Sequence, residues 1–230
     1  MLSGGQILYD QYGELNAPNI TPSETGIKNW DTMELLQFFR TGIRPDESTI
    51  SPQMHRGMEW ISDDDALAII SYLKNIPAVE KEVEHRSVSI LEENTTGFFD
   101  SVRSVKGYVP EIDKSYQIEF GQYLVDHVAR CGSCHNTPAT IFSAELYLAG
   151  GATIKTAGGE KVAPNITQSD TNGIATWSED QIVTYLQTGN MPGGRSVDHD
   201  YCPVDFYKNA LPEDLVSLAK YLKSIPVIAG

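Results

Sequence analysis

A run of five residues, Cys131-Gly132-Ser133-Cys134-His135, constrains the fold of this chain more than any other feature of its sequence. Two thiols separated by two residues can each form a thioether to one vinyl group of a haem, and the following histidine then lies under the iron. A zinc site needs about four nitrogen or sulfur ligands, but the only other cysteine is Cys202. A thioredoxin-like pair would follow a strand, whereas this run follows a helical pattern. The motif therefore predicts covalent haem c with His135 as the proximal iron ligand.

The composition of the chain restricts the partners and the cellular compartment of a protein with such a haem. The chain carries 31 acidic against 17 basic residues, a net charge of -14, which argues against nucleic acid and anionic membrane surfaces as partners. No apolar run approaches the roughly 18 residues of a membrane span, and the first ten residues lack the basic and apolar regions of a secretory signal. Because haem is attached to this motif outside the cytoplasmic membrane, we expect a periplasmic or otherwise extracytoplasmic protein whose signal segment is absent from this chain.

An internal repeat is the second strong feature of the sequence. Three segments recur in the same order and at nearly constant spacing: Ala-Pro-Asn-Ile-Thr at 17–21 and 163–167, Gly-Ile-x-x-Trp at 26–30 and 173–177, and Tyr-Leu-Lys-x-Ile-Pro at 72–77 and 221–226. Agreement over such a length indicates two copies of one domain.

Helix signals occur at matching places in the two copies. A capping box begins one helix in each copy and a glycine ends it: Asp31-x-x-Glu34 with Gly42, and Ser178-x-x-Gln181 with Gly189. Apolar residues at i, i+3, i+4 and i+7 mark three further helices: Ala66, Ile69, Ile70 and Leu73; Leu215, Leu218, Ala219 and Leu222; Gly121, Leu124, Val125 and Val128. Helices joined by long loops, with no clear alternating strand, predict an all-α fold.

On these residues the chain resembles the cytochrome c superfamily, and more narrowly the tandem two-domain cytochromes c that accompany membrane-bound dehydrogenases. The resemblance covers residues 1–77 and 116–227. It implies a partial cytochrome c-like domain at 1–77, an ordered connector at 78–115 and a complete monohaem domain at 116–230. It also implies that the Pro164 carbonyl accepts the Nδ1 hydrogen of His135, and that Asn165 and Trp177 belong to the haem site. Core packing is the alternative explanation for Trp177.

The first copy has no haem motif of its own. Aligned on the second copy, its motif would lie about 11 to 15 residues before Met1. We therefore expect a fragment of a dihaem protein whose first domain lacks its N-terminal haem helix. One haem is expected in this chain and a second in a full-length form.

The distal iron ligand is the point at which the chain departs from the resemblance. The family usually shows Met-Pro about 12 residues before the aspartate of the last helix. The first copy offers Met54 near that place, with Met58 as second choice, whereas the second copy has Cys202-Pro203. Three candidates remain for the second copy: Cys202 by position, Met191 by chemistry, and His199 by proximity to the expected place. A small buried residue is the alternative explanation for Cys202.

The resemblance implies single-electron transfer between redox partner proteins, with a membrane-bound dehydrogenase as one expected partner. It implies a carrier more than an enzyme. Hydrolytic triads and phosphate loops have no match in the sequence. A haem enzyme is the alternative, in which an unusual distal ligand permits sulfur-compound oxidation, as in thiosulfate dehydrogenases, or peroxide reduction. A third possibility is a haem subunit that only docks a dehydrogenase to its acceptor.

Overall fold

The computed structural model describes residues 2–10, 12–86 and 103–228, and the chain divides into two compact units, Met1–Glu111 and Ile112–Gly230. No helix among the described residues is long and apolar enough to cross a membrane. The predicted boundaries at 77 and 115 stay predictions. In the structure, the compact first unit extends through most of the predicted connector.

The first unit consists of a β-hairpin followed by helices. Its described elements are, in order, β1 (Ile7–Asp10), β2 (Gly13–Asn16), α1 (Thr32–Thr41), the short α2 (Pro52–His55), a 3-10 turn (Met58–Trp60) and α3 (Asp63–Asn75). Its core lies between α1 and α3 and consists of Ile27, Leu35, Phe39, Ile61, Ala66, Ile70 and Leu73.

The second unit repeats this order behind an added N-terminal helix. Its elements are α4 (Gln117–Tyr123), a π-helical segment (Leu124–Val128), the short α5 (Gly132–His135), β3 (Thr153–Thr156), β4 (Gly159–Val162), α6 (Glu179–Thr188), the short α7 (Val204–Tyr207) and α8 (Pro212–Ser224). Its larger core is built on α8, which contributes Leu215, Leu218, Ala219, Tyr221 and Leu222.

The prediction of an all-α fold is wrong, because each unit contains a two-stranded antiparallel sheet. The strands have four residues each and are largely exposed, so the alternation that marks a half-buried strand is too short to detect. The sequence signal for these hairpins was in the glycines of their turns. Gly13 and Gly159 begin the second strands with φ of 99° and 114°, a conformation that favours glycine and is typical of tight hairpins.

The predicted helix ends are confirmed at α1 and α6. Both capping boxes are formed, by Asp31 with Glu34 and by Ser178 with Gln181. At the other end, a glycine in the left-handed conformation donates its N–H to the carbonyl four residues back, that of Phe38 in α1 and of Tyr185 in α6.

A close helix crossing holds the N-terminal part of the second unit. Gly121 of α4 lies directly on α8, where an added Cβ would be 2.0 Å from the Ser217 carbonyl oxygen and 2.8 Å from Tyr221 Cβ. Only a residue without a side chain permits this approach. The crossing fixes α4, and with it the π-helical segment that leads to Cys131.

Residues 78–86 and 103–111 of the predicted connector belong to the first unit, whereas Lys114 pairs with Asp214 of the second unit at 2.8 Å. Lys81 Nζ donates to the Gly4 carbonyl at 2.7 Å, the Asn16 amide donates to the Glu84 carbonyl at 3.2 Å, and Val109 is buried. Residues 87–102, which include the apolar pair Phe98 and Phe99 of the predicted connector, lie outside the described residues.

The strongest of these contacts is the ion pair between Arg86 and Asp10. Two hydrogen bonds join them, at 2.7 and 2.8 Å, and the Asp10 side chain is fully buried. Burial raises the pKa of Asp10, but hydrogen bonds from Arg86 and the Tyr12 amide outweigh it and hold the pKa below its ordinary value. The pair therefore stabilises the first unit at neutral pH, and this contribution is lost as the pH falls through the lowered pKa.

We expect Arg86→Ala to lower the free energy of unfolding of the first unit at pH 7 by about 2 kcal/mol, between the values typical of exposed and buried pairs. The loss should shrink in acid, where Asp10 takes up a proton. Denaturant unfolding at pH 7 and pH 3.5 measures both effects. Lys28→Ala is the matched control, because its pair with Glu24 is exposed and should contribute nothing measurable. Equal stability of the two variants at pH 7 would contradict the role of Arg86.

Candidate haem-binding site

The backbone before the motif presents both thiols and the imidazole on one helical turn. The π-helical segment closes with Ala129 N–H donating to the Leu124 carbonyl at 2.7 Å, and Arg130 then takes a positive φ of 53°. In α5, His135 N–H donates to the Cys131 carbonyl at 2.9 Å. Residues three and four apart on a helix share one face. Cys131, Cys134 and His135 therefore face the same side.

The cysteines are half-buried free thiols, and none of them is in a disulfide. Burial raises the pKa of Cys131 to about 12, and the neighbouring Cys202, Asp126 and Cys134 contribute in the same direction. Cys131 is therefore an uncharged thiol at neutral pH.

His135 is held by two backbone contacts. Its Nδ1 lies 2.8 Å from the Pro164 carbonyl oxygen, and its own carbonyl accepts the Gly150 N–H at 2.7 Å. Since a carbonyl only accepts, Nδ1 carries the hydrogen and Nε2 keeps its lone pair. Burial lowers the pKa of His135, and the bond to Pro164 offsets part of this effect. The imidazole is thus neutral and oriented as a metal ligand requires.

Asn165 shapes the turn that carries the Pro164 carbonyl. Its buried Oδ1 accepts the N–H and the hydroxyl of Thr167, each at 2.7 Å, while its Nδ2 donates to Asn172 and Ile228. Asn19 makes the same two bonds to Thr21 in the first unit. The repeated Asn-Ile-Thr segment therefore acts on the backbone of its own loop, whatever else Asn165 contacts when haem is bound.

We expect Asn165→Ala to cost about 2 kcal/mol of unfolding free energy, because it leaves two buried Thr167 donors without their acceptor. It should also broaden the haem absorption bands, since the Pro164 carbonyl loses its support. Asn19→Ala is the matched control. It should destabilise the first unit to a similar extent and leave the haem spectrum unchanged. This role of Asn165 would be contradicted if Asn165→Ala and Asn19→Ala altered the haem spectrum equally, or if neither altered it.

Trp177 lies against α6 at the edge of the larger core. Its ring meets that of Tyr185 edge to face, with centroids 5.6 Å apart. This contact accounts for the residue by packing, and its bond to a haem propionate stays a prediction. Trp30 packs on Phe38 in the same way in the first unit, also at 5.6 Å.

The three candidates for the distal ligand have different surroundings. Met191 lies in a turn closed by the Arg195 carbonyl, which accepts its N–H at 2.7 Å. His199 is exposed, and its Nδ1 lies 2.9 Å from Asp205 Oδ2, which fixes the ring on the protein surface. Cys202 is half-buried, and its N–H donates to the Asp198 carbonyl at 3.3 Å. Of the three, Cys202 has the position that the resemblance assigns to the distal ligand.

Met54 and Met58, the candidates of the first copy, are half-buried in the first unit, in α2 and the 3-10 turn. Met58 packs against the core between α1 and α3. They belong to a different compact unit from Cys131.

Two tyrosines of the site were not predicted from the sequence. Tyr185 and Tyr207 pack, like Cys131, against the core of the second unit, and burial raises the pKa of both phenols. The difference between the copies offered a signal for Tyr185, because the aligned residue of the first copy is Phe38.

These side chains fit haem c. Two thiols outside any disulfide and an imidazole whose Nε2 keeps its lone pair share one helical face. The half-buried side chains of Cys131, Tyr185 and Tyr207 pack against the same core. A histidine and a sulfur as axial ligands are a known combination for haem iron. Among the described residues, no group of three or more His, Cys, Asp or Glu side chains is arranged to hold a bare metal ion.

Comparison with known proteins agrees with this site. The chain is 29% identical over 99% of its length to the fructose dehydrogenase cytochrome subunit of Gluconobacter japonicus, covering 48% of that protein. It is 29% identical over 98% of its length to the cytochrome c subunit of the quinone alcohol dehydrogenase of Gluconobacter oxydans, covering 50% of it. It is 28% identical to a diheme cytochrome c-type protein of Cereibacter sphaeroides, over 99% of this chain and 77% of that protein.

The chain thus spans about half the length of the first two of these relatives. No family model matches it. All three relatives are nevertheless cytochromes by name, two of them cytochromes c, and each aligns with nearly the whole of this chain. These similarities support the cytochrome c superfamily and its dihaem type.

Proposed function

We propose that this chain transfers single electrons through one haem c bound to Cys131 and Cys134. The observation that carries the proposal is the placement of the two free thiols and His135 on one helical face, with the imidazole oriented by Pro164. The bound haem supplies a one-electron couple. Cys131 and Cys134 would hold it by two thioether bonds and His135 would be oriented by Pro164, while Tyr185 and Tyr207 pack against the same core as Cys131.

The relatives support a dehydrogenase as electron donor. The matched proteins include cytochrome subunits of fructose, alcohol and gluconate dehydrogenases. We infer that this chain accepts electrons from such a dehydrogenase in an extracytoplasmic compartment, where covalent haem attachment takes place. A net charge of -14 favours a basic docking face on the partner protein. The second haem that the repeat predicts stays a prediction.

We also propose Cys202 as the distal iron ligand. It is half-buried and has the position at which the resemblance places the distal methionine, whereas the Met191 backbone closes its own turn and the His199 ring is bonded to Asp205. A thiolate is an anionic donor that stabilises ferric iron more than a methionine thioether does. The haem should then be low-spin when oxidised and have a lower potential than a His/Met cytochrome.

A redox titration combined with turnover assays tests electron transfer against the haem-enzyme alternative. The purified haem protein should titrate reversibly with one electron per haem. It should take electrons from a reduced quinoprotein or flavoprotein dehydrogenase, and the rate should fall as salt screens the charges. Steady-state consumption of thiosulfate or hydrogen peroxide, at rates that require the chain, would contradict the carrier function.

A further inference from the structure

The loop at 198–202 carries two of the three candidate distal ligands, His199 and Cys202. Its backbone turns about Asp198. The Asp198 carbonyl accepts the N–H of Tyr201 at 3.0 Å and that of Cys202 at 3.3 Å. The side-chain Oδ1 of Asp198 also accepts the Asp200 N–H at 3.2 Å. Asp198 and Cys202 therefore belong to one hydrogen-bonded turn.

The β3–β4 hairpin contacts this loop through Lys161. Lys161 Nζ donates to Asp198 Oδ2 at 2.5 Å and lies 4.2 Å from the centroid of the Tyr201 ring. The turn of the hairpin lies along the same side chain, since an added Cβ at Gly158 would be 3.6 Å from the Tyr201 hydroxyl oxygen. One ammonium group thus joins the hairpin to two residues of the loop, one of them next to Cys202.

The first copy has neither partner of this ion pair. Leu15 is aligned with Lys161, at the same spacing as the two Ala-Pro-Asn-Ile-Thr segments. Ser51 is aligned with Asp198, because the residue before each donates its N–H to the carbonyl of the glycine that ends the preceding helix, at 2.9 Å in the first unit and 2.8 Å in the second. Leucine and serine carry no charge. In this chain the ion pair therefore belongs to the copy that has the haem motif.

We propose that Lys161 is a positioning residue that anchors the 198–202 loop to the β3–β4 hairpin and thereby slows the release of the distal ligand from the haem iron. The inference rests on the proposed haem binding and on the proposed position of the distal ligand in this loop. Loops with few buried contacts open locally more often than the core does. Opening of this loop must break the ion pair and the cation–π contact together, so the anchor reduces the fraction of molecules with an open loop.

The expected effect of the anchor is modest and measurable. The side chains of Lys161 and Asp198 are 51% and 45% exposed, and exposed ion pairs are weak because water screens the charges. The cation–π contact with Tyr201 adds a second interaction of similar size. Together they predict a change of about fivefold in the opening equilibrium of the loop.

Binding of cyanide to the ferric haem of the full haem-loaded chain measures release of the distal ligand, because at saturating cyanide this release limits the rate. The limiting rate should rise about fivefold in Lys161→Met, whereas Lys161→Arg, which retains the charge, should keep the rate of the unmodified protein. Lys28→Met is the matched control. It removes the same charge from an ion pair of the same length, 2.5 Å, and similar exposure in the first unit. Equal limiting rates in Lys161→Met and Lys28→Met would overturn the proposal.

A double substitution tests whether Lys161 acts through Asp198. Asp198→Asn removes the carboxylate charge but keeps an Oδ1 acceptor for the Asp200 N–H. If the two residues form one anchor, Lys161→Met should raise the limiting rate less in the Asp198→Asn background than in the unmodified protein. Equal increases in both backgrounds would show that the residues act independently and would contradict the anchor.

Hydrogen exchange separates the anchor from the ligand assignment, because it does not depend on which residue binds the iron. The N–H groups of Tyr201 and Cys202, which are bonded to the Asp198 carbonyl, should exchange faster in Lys161→Met than in Lys28→Met. Equal exchange in the two variants overturns the anchor. Faster exchange with an unchanged limiting rate of cyanide binding places the distal ligand outside the loop, and the proposal is overturned while haem attachment stands. Failure of the proposed function itself would appear as haem that solvent extracts from the unmodified chain.

Discussion

Gly121→Val is expected to abolish stable folding of the second unit. A Cβ at this position would lie 2.0 Å from the Ser217 carbonyl oxygen and 2.7 Å from the carbonyl carbon, and both are backbone atoms of α8 that no rotamer change can move. The helices must separate, which exposes the core along α8 and displaces the segment that leads to Cys131. Overpacking of this kind belongs to the largest single-residue effects, about 4 kcal/mol or more.

Ile118→Val is the matched control for this prediction. Ile118 lies in the same helix but is 48% exposed, so shortening its side chain should change stability little. Denaturant unfolding followed by circular dichroism, together with the haem content of the purified protein, reports both effects. A Gly121→Val protein with the unfolding midpoint and haem content of the Ile118→Val protein would contradict the close helix crossing.

Cys202→Met should raise the reduction potential by an amount on the order of 100 mV, within the wide range that axial ligands control. The thioether of methionine is neutral and favours ferrous iron, whereas a thiolate favours ferric iron. Cys202→Ser should give a high-spin or re-ligated ferric haem. Potentiometric titration and the ferric absorption spectrum measure these changes.

Met191→Leu and His199→Gln are the controls, since each removes another candidate ligand. Both should retain the spectrum and potential of the unmodified protein. If the Cys202 variants are unchanged and one of these two is altered, the altered residue is the ligand and Cys202 is a packing residue.

Local signals in the sequence predicted much of this molecule. Helix ends are determined by hydrogen bonds within a few residues. The capping boxes at Asp31 and Ser178 begin α1 and α6, and Gly42 and Gly189 end them. Such bonds can be recognised in a short stretch of sequence. The haem motif has the same property, because its chemistry requires fixed spacing along one helical turn.

Features that depend on contacts between distant segments were missed. The hairpins are four-residue strands held by turn glycines, with little burial to impose an alternating pattern. The Arg86 pair joins residues 76 positions apart. The packing of Tyr185 and Tyr207 against the same core as Cys131 also joins segments that are distant in sequence.

Covalent haem attachment is the central claim, and the pyridine haemochrome spectrum after acid–acetone extraction tests it most directly. The chain, expressed with a haem c maturation system, should retain one haem per polypeptide with a thioether-type spectrum. Replacing both Cys131 and Cys134 with serine should leave haem that the solvent removes, whereas His135→Ala should keep the covalent haem with a disturbed iron. Complete extraction of haem from the unmodified chain would contradict the assignment of Cys131 and Cys134.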